Sequence, residues 1–203
     1  MSDARAEPAS PAVDETTIAE AAIVAATRRW VERAVIGLNL CPFARAPFVR
    51  GRLHFRVSRA RSTDELLTDL REELRALQAA DPGVRETTLL IHPHVLTDFF
   101  EYNEFLYTAD AELLALGLEG DLQIASFHPD YRFADTAADD VENFTNRSPY
   151  PILHLLRESS IDVAVDALTD TDEIYRRNIR TLRQLGADGW RELMRDDGDT
   201  TRD

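Results

Sequence analysis

The chain has 203 residues, of which 44% are hydrophobic and 30% charged, a balance typical of a folded globular protein. Its formal net charge of −14 argues against nucleic acid and against an anionic membrane surface as partners. All 23 basic residues are arginine, which excludes a lysine Schiff base and a lysine-containing phosphate loop. The single cysteine excludes an intramolecular disulfide, and no apolar run is long enough to span a membrane. Since no signal-peptide pattern is present, we expect a cytoplasmic protein.

The amino-acid composition predicts one folded domain between two disordered tails. Residues 1–14 are rich in Ala, Pro, Ser and acidic residues, which predicts a disordered leader. Residues 191–203 are predicted to be a disordered acidic tail for the same reason. Residues 15–190 are then expected to form a single domain, a size that can bury a substantial core.

Hydrophobic periodicity predicts helices and strands that alternate along the domain. A helix is predicted from Thr17 to about Leu38, and further helices follow the N-cap patterns at Ser62 and Asp98. A long loop over 128–148 is expected to be ordered and to fold over the sheet edge. The predicted strands are 53–57, 87–91 and 122–127, and the predicted C-terminal helices are 152–158, 161–168 and 173–185.

The order strand, helix, strand, helix, strand predicts parallel crossovers. We therefore expect an α/β fold with a small, mainly parallel β-sheet of three or more strands. Crossover helices would cover this sheet, and additional helices would lie at the N- and C-termini.

Two of the predicted strands run directly into the dipeptide His-Pro, at His92 and at His128. Because proline cannot continue a ladder, each histidine falls at the last position of its strand or just beyond it. If the strands are parallel neighbours, both imidazoles lie at the carboxyl edge of the sheet, where open α/β sheets bind ligands. The alternative is that both side chains only cap neighbouring loops.

Cys41 follows the first predicted helix and precedes a proline. A thiolate nucleophile needs a partner base or a positive environment, and His92 or His128 is the candidate base. A lone cysteine is otherwise a small buried hydrophobic residue. The sequence thus predicts a catalytic set of Cys41, His92 and His128, with buried packing of Cys41 as the alternative.

The polar segment 139–150 carries side chains suited to binding an anionic group before a predicted helix at Pro151. His154 and Arg157 would share one face of that helix, although Glu158 could instead pair with His154. A solvated acidic loop is the alternative interpretation. The candidate residues for binding a small anionic substrate are Asn143, Asn146, Arg147, His154 and Arg157.

A metal site is a second hypothesis, with His92, His128 and either Cys41 or Asp130 as ligands. No local pair of ligands at a typical metal-binding spacing supports it. A third hypothesis is a non-catalytic ligand-binding or interaction module. The sequence specifies neither a cofactor nor an oligomeric state.

Several stretches of this sequence together resemble a bacterial family known as domain of unknown function 1415. The resemblance covers about residues 17–186 and implies a small bacterial protein whose activity is not established. It places Cys41, His92, His128, Asn146, Arg147, His154 and Arg157 within the characteristic stretches. Those stretches are 35–44, 91–103, 123–129 and 145–157.

We therefore expect a small cytoplasmic α/β enzyme whose Cys/His site acts by hydrolysis or group transfer on a small anionic substrate. The metal-dependent enzyme and the non-catalytic module are the two alternatives.

Overall fold

The computed structural model describes residues 15–160 and 171–195. Four strands form one sheet, and helices pack on both of its faces. In chain order the elements are α1 (Glu15–Trp30), a π-helical turn (Val31–Ile36), α2 (Arg45–Val49), β1 (Leu53–Val57), α3 (Thr63–Ala79), β2 (Thr87–Ile91), α4 (Phe99–Ala115), β3 (Leu122–Phe127), a 3₁₀ turn (Val141–Thr145), β4 (Ile152–Arg157) and α5 (Thr171–Met194).

The predictions for the first three strands and their crossover helices are confirmed. β1, β2 and β3 have the predicted bounds, and the outer face of β1 is exposed as its alternating sequence predicts. Ser62 and Glu65 form a reciprocal capping box at the start of α3. Asp98 caps α4 by accepting hydrogen bonds from two backbone N–H groups. The first helix continues through its π-helical turn to Ile36, close to the predicted end.

The fold is α/β, but the prediction of a mainly parallel sheet is wrong. The strand order is β1-β2-β4-β3, and only β1 and β2 pair in parallel. β4 pairs antiparallel with both β2 and β3, so β2 and β3 point in the same direction without being neighbours. His92 and His128 consequently do leave the sheet at the same edge, with β4 between their strands.

The prediction of a helix over 152–158 is also wrong, because Ile152–Arg157 forms β4. Its apolar side chains point into the cores on both faces of the sheet. The hydrophobic periodicity of a sequence cannot distinguish such a central strand from a buried helix. In a strand, successive side chains point to opposite faces. His154 and Arg157 therefore lie on opposite faces of the sheet instead of on one helix face, and His154 does not pair with Glu158.

The two faces of the sheet have separate cores. α3 and α4 cover one face, where leucines of α3 pack against Tyr102 and Phe105 of α4 and against Leu90, Leu153 and Leu155 of the strands. α1 and its π-helical turn cover the other face, with a core centred on the fully buried strand β2 and on Trp30. Side chains that alternate along β2 and β4 thus contribute to opposite cores.

The C-terminal helix packs over the turn that follows α1 and over the 3₁₀ turn. Trp190 stacks on Phe144 at 5.0 Å between ring centroids, and Leu182 is fully buried beside them. α5 is interrupted at Gly186, which has a φ of 67° and thereby ends the first segment where the sequence predicts it. The helix then continues to Met194, past residue 190, and the predicted helix over 161–168 lies outside the described residues.

None of the helices described within 15–160 and 171–195 combines the length and apolarity needed to cross a membrane.

Tyr102 connects α4 to the sheet through its hydroxyl group. The hydroxyl donates to the carbonyl of Ile152 at 2.7 Å and accepts from the N–H of Phe127 at 3.1 Å. We expect Tyr102→Phe to lower the free energy of unfolding by about 1–3 kcal/mol, because both buried backbone groups lose a partner. Urea denaturation would measure the change. Tyr107→Phe on the exposed side of α4 is the matched control, and an equal loss in both variants would contradict the role of the Tyr102 hydroxyl.

Candidate functional site

A cavity of about 350 Å³ lies between the sheet and the segment that contains α1 and α2. The sheet provides one wall, and the π-helical turn together with the loop after it provides the other. Most of the lining is apolar, with a small number of polar groups. The lining residues are Trp30, Val31, Val35, Cys41, Pro42, Phe43, Ala44, Ala46, Pro47, Arg50, Leu53, Glu86, Thr87, Leu89, Phe127, His154, Leu156, Arg157 and Ser160.

The end of the first helix places Cys41 in the wall of this cavity. Gly37 follows the π-helical turn at a position where a Cβ atom would approach the carbonyl oxygen of Arg33 to 2.2 Å. Asn39 then adopts the left-handed conformation with a φ of 54°, which asparagine tolerates better than most residues. The chain turns back so that the N–H of Cys41 donates to the carbonyl of Val35 at 3.4 Å.

α5 holds this turn from the outside. The buried amide of Asn178 donates to the carbonyl of Leu40 at 2.8 Å, and the guanidinium of Arg177 donates to the carbonyl of Asn39 at 2.6 Å. The position of Cys41 therefore depends on a helix about 140 residues later in the chain.

His154 projects from the centre of the sheet into the same cavity, and its hydrogen bonds define its tautomer. The Thr87 hydroxyl donates its single proton to the carbonyl of Leu155 at 2.7 Å. It must therefore accept from Nε2 of His154, which lies 2.7 Å away. Nδ1 of His154 is left with a lone pair, and no group in the described part of the chain donates to it.

Burial keeps both cavity groups uncharged. Desolvation lowers the pKa of His154 to about 4, since no nearby charge compensates for the loss of water. Desolvation also raises the pKa of the Cys41 thiol above its ordinary value of 9.0, although the N–H groups of Phe43 and Ala44 oppose this shift. Within the described residues, no hydrogen bond joins the thiol to the imidazole.

His92 and His128 lie on the other face of the sheet, in the core beneath α4. Tyr102 packs against both rings, with centroid distances of 5.8 Å to His92 and 5.1 Å to His128. Cys41 packs in the core of the opposite face. The structure thus groups Cys41 with His154 and groups His92 with His128, so the predicted catalytic set is divided between two places.

The hydrogen bonds of these two histidines hold the loop that follows β2. His92 donates from Nδ1 to the carbonyl of Val95 at 3.0 Å. His128 accepts at Nδ1 from the N–H of Asp130 at 3.0 Å, so its Nε2 carries the proton and donates to the carbonyl of Leu96 at 3.2 Å. Leu96 has a φ of 55°, an uncommon conformation for leucine that these contacts stabilise.

Both strand-end imidazoles are neutral at neutral pH. Desolvation lowers the pKa of His92 to about 4, and desolvation also lowers the pKa of His128. Nε2 of His92 is buried and has no hydrogen-bond partner in the described residues.

The loop after β3 uses its own polar side chains to maintain its shape. Asn143 is fully buried and makes three hydrogen bonds, to Phe133, Thr136 and Ala137. Asn146 donates to the carbonyl of Ser126 at 3.1 Å. The Arg147 guanidinium donates to the carbonyls of Tyr131 and Ala138 and lies over the ring of Phe144.

Arg157 borders the cavity, but its guanidinium group points to the other face of the sheet. It donates to the carbonyls of Leu77 and Ala80, the latter at 2.7 Å, at the C-terminal end of α3. The Leu77 carbonyl also accepts from the N–H of Ala80 at 3.2 Å. The guanidinium adds donors at a helix end, where backbone carbonyls lack helical partners and a cation is favourable.

The described residues contain no cluster of three or more histidine, cysteine or acidic side chains that could hold a metal ion. The proposed ligands His92 and His128 are on the α4 face of the sheet, whereas Cys41 is on the α1 face.

Sequence reasoning missed Thr87, which orients the cavity imidazole. The feature that could have identified Thr87 is its position at the start of a fully buried strand, because a buried hydroxyl group needs a hydrogen-bond partner.

The family model for DUF1415, described as a protein of unknown function, matches residues 22–192. The comparisons found no match among curated proteins and no match among solved structures.

The neutral, buried histidines predict a loss of stability in acid. The pKa of His154 and of His92 is about 4 in the folded protein, compared with an ordinary value of 6.5. The unfolded chain binds these protons first, so stability is complete above pH 6.5 and falls as the pH decreases towards 4. Each histidine contributes about 1.4 kcal/mol per pH unit, which amounts to about 3 kcal/mol for each of the two residues over this range.

We expect His154→Gln to reduce the slope of unfolding free energy against pH in this window. Urea denaturation at a series of pH values would measure it, with His94→Gln at an exposed position as the control. A slope that is unchanged in His154→Gln would show that His154 is not held neutral by the fold.

Proposed function

The chain belongs to the DUF1415 family, and we propose that it binds a small, largely apolar, uncharged molecule in the cavity between Cys41 and His154. The main support is the cavity itself, which has a mostly apolar lining and an imidazole lone pair without a donor in the described residues. Ligand sites in proteins are typically concave and apolar, with a few polar groups that orient the ligand. A volume of about 350 Å³ suits a small metabolite.

The charge state of the cavity supports an uncharged ligand. Proton transfer from Cys41 to His154 would span more than about 5 pK units, because the thiol is above 9.0 and the imidazole is near 4. The neutral thiol and the neutral imidazole are therefore the form that a ligand meets.

The arginines that suggested an anionic substrate already have partners. Arg147 and Arg157 donate to backbone carbonyls, and Arg52 pairs with Glu86 at 3.7 Å near the cavity wall. Binding an anion through Arg147 or Arg157 would break the contacts that hold a loop and a helix end. This argues against a carboxylate or phosphate group bound by Arg147 or Arg157.

The ligand would have to donate a hydrogen bond to His154. Nδ1 accepts in the tautomer that Thr87 imposes, and the apolar wall formed by Leu89, Phe127 and Trp30 surrounds it. A ligand with a donor at this point gains a buried hydrogen bond, while an analogue without the donor leaves the lone pair unsatisfied.

A thiol-dependent enzyme is the second candidate. The specific observation in its favour is that the N–H groups of Phe43 and Ala44 interact with the sulfur of Cys41 and lower its pKa. Such donors would stabilise a thiolate if a ligand or a partner base removed the proton. On this proposal Cys41 is the nucleophile of a cytoplasmic bacterial enzyme, and His154 replaces His92 and His128 as the neighbouring base.

Filling the cavity tests the binding proposal. Ala44 lines the cavity and is half-buried, so Ala44→Leu adds apolar volume where the ligand would lie. We expect uncharged apolar fragments with a hydroxyl or amide to bind the wild-type protein in ligand-observed NMR and to lose binding to Ala44→Leu. His154→Gln should weaken fragments that carry a donor more than fragments that lack one.

Ala79→Leu at the exposed end of α3 is the matched control and should bind the fragments as the wild type does. Fragments that bind Ala44→Leu as tightly as the wild type would place the binding site elsewhere and refute the proposal.

The reactivity of Cys41 separates the two candidates. Because burial raises the pKa of the thiol, we expect iodoacetamide at pH 8 to alkylate the native protein several-fold more slowly than the urea-unfolded chain. The rate in the native protein should continue to rise with pH beyond the point at which the rate in the unfolded chain levels off, because burial raises the pKa of the thiol. Mass spectrometry would follow the single alkylation. A native thiol that reacts faster than the unfolded one would contradict the neutral cavity and favour the thiol enzyme.

A further inference from the structure

The solvent-facing side of α4 carries a stripe of large apolar side chains. Phe100, Tyr107 and Leu114 are spaced by seven residues and are 69%, 78% and 60% exposed. A spacing of seven residues returns to nearly the same side of an α-helix, so the three side chains lie in one row along the helix. We call these three residues the outer stripe.

α4 therefore carries large apolar side chains on two opposite sides. Its inner side, which includes Tyr102, Phe105 and Leu113, is buried against the sheet and α3. Ordinary surface helices have one apolar side and one polar side. Aromatic side chains exposed in a line are typical of surfaces that bind another protein.

Carboxylates flank the outer stripe. Glu104 and Asp110 lie beside it on α4, and the helix contains no lysine or arginine. An open groove next to the stripe, between α4 and the start of α3, has Leu67, Leu96 and Phe105 in its lining. Its lining also includes the carboxylates Asp64, Glu101 and Glu104.

These three carboxylates have no ion pair within the described residues. The nearest arginine on α3, Arg71, is already paired with Glu112 through two hydrogen bonds. The groove thus has an apolar base and carboxylates without ion-pair partners at its rim. The base suits the aliphatic part of an arginine or lysine side chain, and the carboxylates suit its cationic group.

We propose that the outer stripe and the adjacent groove bind a basic amphipathic helix of a partner protein. Apolar side chains of that helix at positions i, i+3 or i+4, and i+7 would cover Phe100, Tyr107 and Leu114. Its arginine or lysine side chains would enter the groove beside Glu101 and Glu104. This surface is on the opposite side of the sheet from the Cys41–His154 cavity, so the two sites are separate.

Charge argues against a second copy of the chain as the occupant. Two outer stripes packed together would bring Glu104 and Asp110 of each copy towards those of the other copy. Each chain also has a formal net charge of −14. Like charges placed across an interface oppose association, whereas a basic partner removes the repulsion.

A displayed library of helical peptides with randomised surface positions tests the proposal without assuming a partner. Selection on the wild-type protein would run in parallel with selection on Tyr107→Asp. We expect peptides enriched only on the wild type, with apolar residues at helical spacing and with flanking arginine or lysine. The affinity of a synthesised peptide should fall about tenfold or more in Tyr107→Asp and in Glu104→Arg.

The matched controls are Val84→Asp, at an apolar side chain that is 72% exposed elsewhere, and Glu119→Arg, which changes the net charge equally. Both should bind the peptide as the wild type does, and unchanged thermal unfolding would show that all variants are folded. The proposal is overturned if no peptide distinguishes the wild type from Tyr107→Asp. It is also overturned if sedimentation shows a wild-type dimer that Tyr107→Asp dissociates.

Discussion

The insertion of β4 between β2 and β3 is the constraint on which the rest of the structure depends. This strand comes last in the chain among the four, yet it is hydrogen bonded on both edges and runs against both neighbours. Its alternating side chains join the two cores, with Leu153 and Leu155 facing α3 and α4 and with Ile152 and His154 facing α1. A shift of the register by one residue would exchange these faces and move His154 out of the cavity.

This alternation also explains why the histidines have different roles. The last side chains of β2 and β3, Ile91 and Phe127, face α1. His92 and His128 come one residue later and therefore point towards α4, where their ring nitrogens hold the loop around Leu96. His154 points towards α1 instead. Within the described residues, only its Nε2 is hydrogen bonded, to the Thr87 hydroxyl. Desolvation keeps all three neutral at pH 7, but of the three only His154 lines the cavity beside Cys41. Nε2 of His92 also lacks a hydrogen-bond partner in the described residues, but it is enclosed in the core beneath α4, so the cavity histidine is the stronger candidate for function.

The cavity and the outer stripe suit different partners for a common electrostatic reason. Inside the cavity the cost of desolvation keeps the thiol and the imidazole uncharged, which favours a neutral ligand. On α4 the carboxylates are exposed at the surface, which favours a basic partner. The sheet separates the two sites, and both would depend on β4 because this strand contributes to the cores under each of them.

Local patterns in the sequence were sufficient for the first three strands, the capping box of Ser62 and Glu65 and the N-cap at Asp98, because these features depend on neighbouring residues. The sequence patterns also identified Cys41, His92, His128 and His154 as candidate functional residues. The partners of these residues were decided only by the tertiary structure. The hydrophobic pattern of residues 152–156 is compatible with a buried helix and with a central strand. Only the pairing of this segment with β2 and β3 makes it a strand. Once that pairing forms, side chains that are adjacent in sequence point to opposite faces, so Cys41 shares a cavity with His154 instead of with His92 or His128.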